Sequence, residues 1–156
     1  MNIDSLIDQL RPMSRDIEKR PLEDGGYWLI TFPTSPGSDY SFRAYVYEDG
    51  EASISAARAG AKDDEYFWGV TFESPDFDST EEIGQYLVDF VLRLLTHDTR
   101  VVQSIGLINV GFECEYSDDD GWHSVGGCAA LRFSNFVFPE IDGKEKEYRA
   151  SAVKPS

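Results

Sequence analysis

Four side chains are all that this 156-residue chain offers as soft metal ligands or as thiol and imidazole machinery: His97, Cys114, His123 and Cys128. None are spaced as the close Cys or His pairs that tetrahedral zinc sites show. The alternation around them predicts a β-hairpin in which Cys114 falls on the inward face and Cys128 on the outward face. Residues on opposite faces of a pleated pair share neither a ligand nor a disulfide without a slip in register. Trp122-His123-Ser124-Val125-Gly126 comes within one residue of a nucleophile elbow. However, Trp122 stands where the first glycine is needed, and a hairpin return strand is not the strand-to-helix turn that exposes such a serine. No phosphate-binding loop ending in Gly-Lys-Ser/Thr is present.

Carboxylates are the abundant chemistry. The chain has 29 Asp and Glu against 14 Lys and Arg, a net charge of −15. The excess is local: between Asp63 and Leu131 only Arg93 and Arg100 are basic, and that segment carries −13. A surface this one-sided repels DNA, RNA and anionic lipid and attracts basic partners. Asp118-Asp119-Asp120-Gly121 invites a calcium reading. In an EF-hand frame the loop would begin at Tyr116, which cannot ligate, and end at Gly127, where a bidentate Glu is needed. A solvated turn is the simpler reading. General acid–base work requires one carboxyl in an apolar setting that raises its pKa. Glu113 and Glu115 project from the wet face of the expected hairpin, and Glu81 and Glu82 lie in the first turn of an expected helix. No cofactor and no metal site is therefore expected. A small enzyme or weak metal binder using carboxylates is the alternative.

The elements that must position these groups follow from periodicity. Ile3, Leu6, Ile7, Leu10, Met13 and Ile17 predict an N-terminal helix, kinked or restarted at Pro12, which lacks a backbone donor. Asp24-Gly25-Gly26 predicts a turn into a strand at 27–32, and Pro33 to Asp39 a loop. Residues 42–47 and 52–58 flank Asp49-Gly50. Read as a two-residue hairpin loop, this places Tyr45 opposite Ile54 and Tyr47 opposite Ala52. A further strand is expected at 66–73. Ser79 with Glu82 predicts a capping box opening a helix through Thr96. Ile108, Val110, Phe112, Cys114 and Tyr116 are expected to point inward on one long strand, and Val125, Gly127, Ala129, Leu131 and Phe133 on the next.

The length suits one domain, and with 41 % apolar residues the chain has enough to form a core despite its charge. The expectation is a single α+β domain over 1–139: an antiparallel sheet of about five to six strands, with an N-terminal and a central helix packed on one face. Residues 140–156 read as a polar, flexible tail. Gly126 to Ala130 is a run of small residues. It predicts either close helix packing or a flat outward patch bounded by Trp122, Glu113 and Arg132. No stretch approaches a membrane span, and the acidic N-terminus is unlike a signal peptide, so a cytoplasmic location is expected. The expected partner surface comprises Asp118, Asp119, Asp120, Trp122, Glu113 and Glu115, together with the aromatics Tyr45, Tyr47 and Trp68.

The order of helix, strand meander, helix and two long strands over residues 3–138, with a pI near 4.3, resembles the type III secretion chaperone fold. That resemblance implies a homodimer holding unfolded effector segments along a strand edge and an apolar surface. Size and charge are also similar to those of polymorphic-toxin immunity proteins, which implies masking of a toxin's cationic nucleic-acid site. The expected function is non-catalytic: binding a basic protein, not nucleic acid or membrane.

Overall fold

The structure, a computed structural model, describes residues 2–13, 16–22, 27–73, 76–105, 109–131 and 146–154; at positions 22, 27, 109 and 129–131 it describes the backbone alone. The expected turn at Asp24–Gly26 and the residues Ile108, Arg132 and Phe133 lie outside these limits.

The fold is α+β and its sheets are antiparallel, with two helices and nine strands among the described residues. The strands form two sheets rather than one. The first has the order β1 (Glu18–Leu22), β2 (Tyr27–Thr31), β3 (Ser41–Tyr47), β4 (Ala52–Ala57), β5 (Trp68–Phe72). The second has the order β8 (Gly121–Leu131), β7 (Asn109–Asp118), β6 (Thr99–Ile105), β9 (Lys146–Ala150). Three of these strands were not expected, and each hides its pattern. β1 is charged and contains Pro21, tolerable because β1 is an edge strand. β6 follows α2 after only two residues. β9 lies in the segment expected to be a flexible tail, yet it pairs with β6 along its whole length. Only Tyr148 and Ala150 of β9 are buried, while Glu147 and Arg149 face out, so charge masks the alternation.

Helix α1 (Ile3–Leu10) is capped by Asn2, whose side chain accepts from the N–H groups of Asp4 and Ser5. It neither kinks nor restarts at Pro12: the chain turns, and by Glu18 it is extended. Helix α2 (Thr80–Thr96) starts as its capping residues require. Ser79 Oγ accepts from the Glu82 N–H at 3.1 Å, and Glu82 reaches back to the Asp78 N–H at 2.7 Å. Its buried stripe is Ile83, Leu87, Val91, Leu94 and their neighbours. Both helices share one core with the inner faces of the two sheets.

Two local irregularities shift the register. The β3–β4 loop has three residues, Glu48-Asp49-Gly50, not two. The Gly50 N–H donates to Tyr47 O at 3.0 Å and the Tyr47 N–H to Glu51 O at 2.9 Å. Gly50 has positive φ, and no non-glycine residue among those described does, so Asp49 does not adopt the conformation a two-residue turn needs. Tyr45 therefore pairs with Ser53 rather than Ile54, and Val46 with Ala52. The second irregularity is a β-bulge in β8. Glu115 pairs with Ser124 but Cys114 with Gly126, leaving Val125 as the extra residue and Gly126 at φ +134°. Beyond the bulge every side chain changes face. Cys128 pairs with Phe112 and packs against the core, on the same face as Cys114, and it is Gly127 that faces out. Both thiols are free, and burial pushes both pKa values up.

The bulge is where the sheets meet. Trp68 Nε1 donates to Gly126 O at 3.0 Å, and the Gly69 N–H donates to the Cys128 sulfur. A Cβ on Gly126 would stand 3.1 Å from Val70 Cγ1, so the contact needs glycine both for its φ and for its space.

Trp68, expected on the partner surface, is instead 0 % exposed. It pairs with Ala56 on the inner face, and its indole fills the junction. Trp68→Phe should lower stability by about 1–3 kcal/mol, the cost of leaving the Gly126 carbonyl unpaired. A chemical-denaturation midpoint unchanged from wild type would show that the junction bond contributes nothing.

Candidate functional site

The outward face of the second sheet is built by register. Rows across it read Arg149–Arg100–Glu115–Ser124 and Glu147–Val102–Glu113–Gly127, with Ser117–Trp122 next to the turn. The bulge sets this arrangement, because it puts Trp122 and Ser124 on the same face as Gly127. Six carboxylates (Glu113, Glu115, Glu147 and the turn residues Asp118, Asp119 and Asp120) gather on this face and its tip, against the guanidiniums of Arg100 and Arg149.

The interactions on the face are specific. Arg100 Nε donates to Glu115 at 2.5 Å, its other end lies 3.8 Å from Glu147, and Arg149 Nε donates to Glu147 at 2.5 Å. Trp122 lies beneath both guanidiniums, 4.3 Å from Arg100 and 5.8 Å from Arg149. Glu113 accepts from Ser124 Oγ and lies over Gly127, where a Cβ would collide with it. Trp122 is half-buried by this packing, with one side to solvent.

The tip has a second, inner side. Tyr116 and His123 are cross-strand partners whose rings stack at 5.2 Å, and His97 packs edge-on to Tyr116, also at 5.2 Å. Arg93 lies over the same tyrosine at 5.6 Å. Thus the two histidines of the chain, 26 positions apart in sequence, meet on one ring. His123 Nε2 is 2.7 Å from Asp118 Oδ1, and the Asp120 N–H donates to the same oxygen at 2.8 Å. These two bonds, the histidine's first, hold the Asp118 carboxyl below its ordinary pKa. Beside them is an open notch of about 440 Å³ lined by Thr96, His97, Asp98, Ser117, Asp118, Asp119 and Ala152. Asp98 Oδ1 accepts from the Ala152 N–H at 2.8 Å. Among the described residues no group of three His, Cys, Asp or Glu is arranged to hold a metal ion.

Of the nine residues expected to form the partner surface, the structure brings six together here: Glu113, Glu115, Asp118, Asp119, Asp120 and Trp122. The other three lie in the first sheet, and two of them are buried. Trp68 is in the core. Tyr45, 7 % exposed, faces the opposite side of its sheet from the core and is covered by the β4–β5 connection, donating its hydroxyl to Asp63 O. Arg43 beside it fixes the same connection through the carbonyls of Lys62 and Ala61 at 2.8 and 3.0 Å. Tyr47 is 37 % exposed, at the β3–β4 turn and away from this face. Sequence reasoning missed Arg100, Glu147, Arg149 and the His97–Tyr116–His123 stack. Only Arg100 carried a signal, as one of two bases in a long acidic segment.

His123→Ala should return the Asp118 pKa toward the ordinary carboxylate value of about 3.9, as read by carboxyl-carbon NMR. Since the folded pKa is the depressed one, the stability that Asp118 contributes is present above the ordinary value and is lost as pH falls through the depressed one. The variant should lose less stability over that acidic interval than wild type. An unmoved Asp118 titration would remove His123 as the cause.

No helix among the described residues is long and apolar enough to cross a membrane. Compared with models of known protein families, with curated proteins and with solved structures, the chain matches none.

Proposed function

We propose that this protein is a non-catalytic acidic binding module that takes a basic protein partner on the outward face and tip of its second sheet. One observation carries the reading: residues that charge alone singled out (Glu113, Glu115 and Asp118 to Asp120) converge with Trp122 on one continuous surface. A sheet face with a tryptophan beside its turn and carboxylates near it has the elements of a protein contact site, an aromatic anchor with polar groups around it. Asp118 is held ionised by His123, which suits attraction of cations rather than proton donation.

The arrangement favours an inhibitor or immunity-type role, on a folded partner, over a secretion-chaperone-like role. A chaperone that holds extended segments needs a free strand edge. Here the β8 edge is engaged by Trp68 and Gly69 at Gly126 and Cys128. The β9 edge is engaged at Arg149, whose N–H donates to Asp39 Oδ2 and whose carbonyl accepts from the Asp39 N–H, both at 2.8 Å. What this sheet offers a partner is a preformed face, suited to a surface already folded; the edge at β1, in the first sheet, is charged and carries Pro21, which cannot donate to an added strand. A cytoplasmic site of action belongs to the same proposal.

Two outcomes are expected. Affinity capture from the native host should recover a basic protein with wild-type bait and lose it with Asp119→Lys/Asp120→Lys. These two side chains project from the turn and leave the Asp118–His123 pair in place. Equal recovery by both baits would move the site elsewhere. For the captured partner, the association rate constant should fall roughly tenfold or more as ionic strength rises from low to several times physiological, because steering is screened over about 10 Å at 0.1 M salt. A rate indifferent to salt would overturn the acidic surface as the contact.

A further inference from the structure

We propose that the cleft between the β4–β5 connection and β9 binds a carboxylate, with Arg58 as its recognising group. The site shares only Glu147 with the acidic face and does not depend on the function proposed for it.

Arg58 directly follows β4. Its guanidinium carbon lies over the Tyr148 ring at 5.4 Å, and among the described residues the guanidinium has no ion pair or hydrogen bond. In this it is like Arg93, which lies over Tyr116, and differs from Arg11, Lys19, Arg20, Arg100 and Arg149, each paired with a carboxylate, and from Arg43, which binds two carbonyls. Unlike Arg93, Arg58 lines two concavities.

The platform under it is fixed. Phe67 packs on the Tyr148 ring at 5.1 Å, and the tyrosine hydroxyl donates to Gln103 Oε1 at 3.3 Å, with Gln103 fully buried. Two concavities, of about 210 and 470 Å³, open on either side, and Arg58 and Ala59 line both. The lining of the smaller one carries little bulk at Gly60, where, with φ +79°, no atom lies within 4 Å of where a Cβ would stand.

The neighbouring acids do not neutralise Arg58, because each is engaged elsewhere. Asp39 accepts from the Arg149 N–H, Glu147 from the Arg149 side chain, and Glu65 from the Lys62 N–H. Their charge opposes any anion, and a dianion such as phosphate about twice as strongly as a monoanion. A monoanionic carboxylate also matches the guanidinium's planar fork with two parallel N–H···O bonds. The carboxylate can come from a small molecule or from the C-terminus of a peptide.

The test is an NMR titration of the full chain, following the amides of Ala59, Gly60 and Ala61 and the Arg58 Nε–H, with benzoate, with N-acetyl-Ala-Phe and with the amide of that dipeptide. Saturable shifts are expected with a carboxylate and not with the amide. Binding should weaken roughly tenfold or more in Arg58→Gln and also in Arg58→Lys, which keeps the charge but loses the fork. A much tighter dipeptide assigns a chain terminus as the source, and comparable binding assigns a small carboxylate. No saturable shift with either carboxylate, undiminished binding in Arg58→Gln, or tighter binding of inorganic phosphate would each overturn the proposal.

Discussion

The rest of the structure depends on how closely β5 can approach β8. Two antiparallel sheets with no strand in common must be joined by side chains or by backbone brought into contact, and here both occur at one place. Trp68 Nε1 reaches the Gly126 carbonyl, and the Gly69 N–H reaches Cys128. The approach is allowed because Gly126 has no side chain, where a Cβ would press on Val70, and because the bulge leaves the Gly126 carbonyl to accept from Trp68. A second tie lies at the other side of the core, where Tyr40 and Thr99 share a buried hydrogen bond at 2.7 Å. Burial raises the Tyr40 pKa far above its ordinary value, so the phenol stays neutral and the bond persists at any pH the fold survives.

The same bulge decides what the second sheet shows to solvent. Without it, Gly127 and Ala129 would take the inner positions and Cys128 the outer one, and Trp122 would share a face with Cys128 rather than with Gly127. With it, Gly127 lies on the outer surface beside Glu113, in line with Trp122 and Ser124, and Cys128 lies inside with Phe112 and Cys114. One inserted residue thus sets which side chains of β8 beyond Val125 face the core.

Much of the architecture was legible in the sequence. The α2 cap, the strands around the β3–β4 turn and the alternation from Val110 to Tyr116 follow from local rules that tertiary contacts did not override. What was not legible has physical causes. β1 and β9 are edge strands rich in charge, and edge strands need only half the apolar pattern of a central one. The bulge is invisible to a count of alternation, since Val125 and Gly126 satisfy either register until a partner strand is laid beside them. The loop at Asp49-Gly50 shows the same limit. Asp-Gly is compatible with a two- or a three-residue turn, and a local bond decides it here, with Asp49 accepting from the Glu51 N–H at 3.0 Å.

Two of the three tryptophans show why the site was partly readable. Trp68 follows Tyr66 and Phe67, whereas Trp122 stands between Gly121 and His123, just after three aspartates. Their partners differ too, a carbonyl for one and cations for the other. Trp68 sits in the meander, where its strand neighbours Ala52, Ala56 and Ile54 leave room on the inner face and its N–H finds a backbone acceptor across the sheet junction. Trp122 sits beside a turn of three aspartates, opposite Ser117, and its partners are two arginines from other strands. Acidic residues cannot accompany an indole into a core without their counterions. Trp122 follows its three aspartates after a single glycine and stays at the surface, whereas Trp68 is separated from Asp63, Asp64 and Glu65 by Tyr66 and Phe67 and is buried.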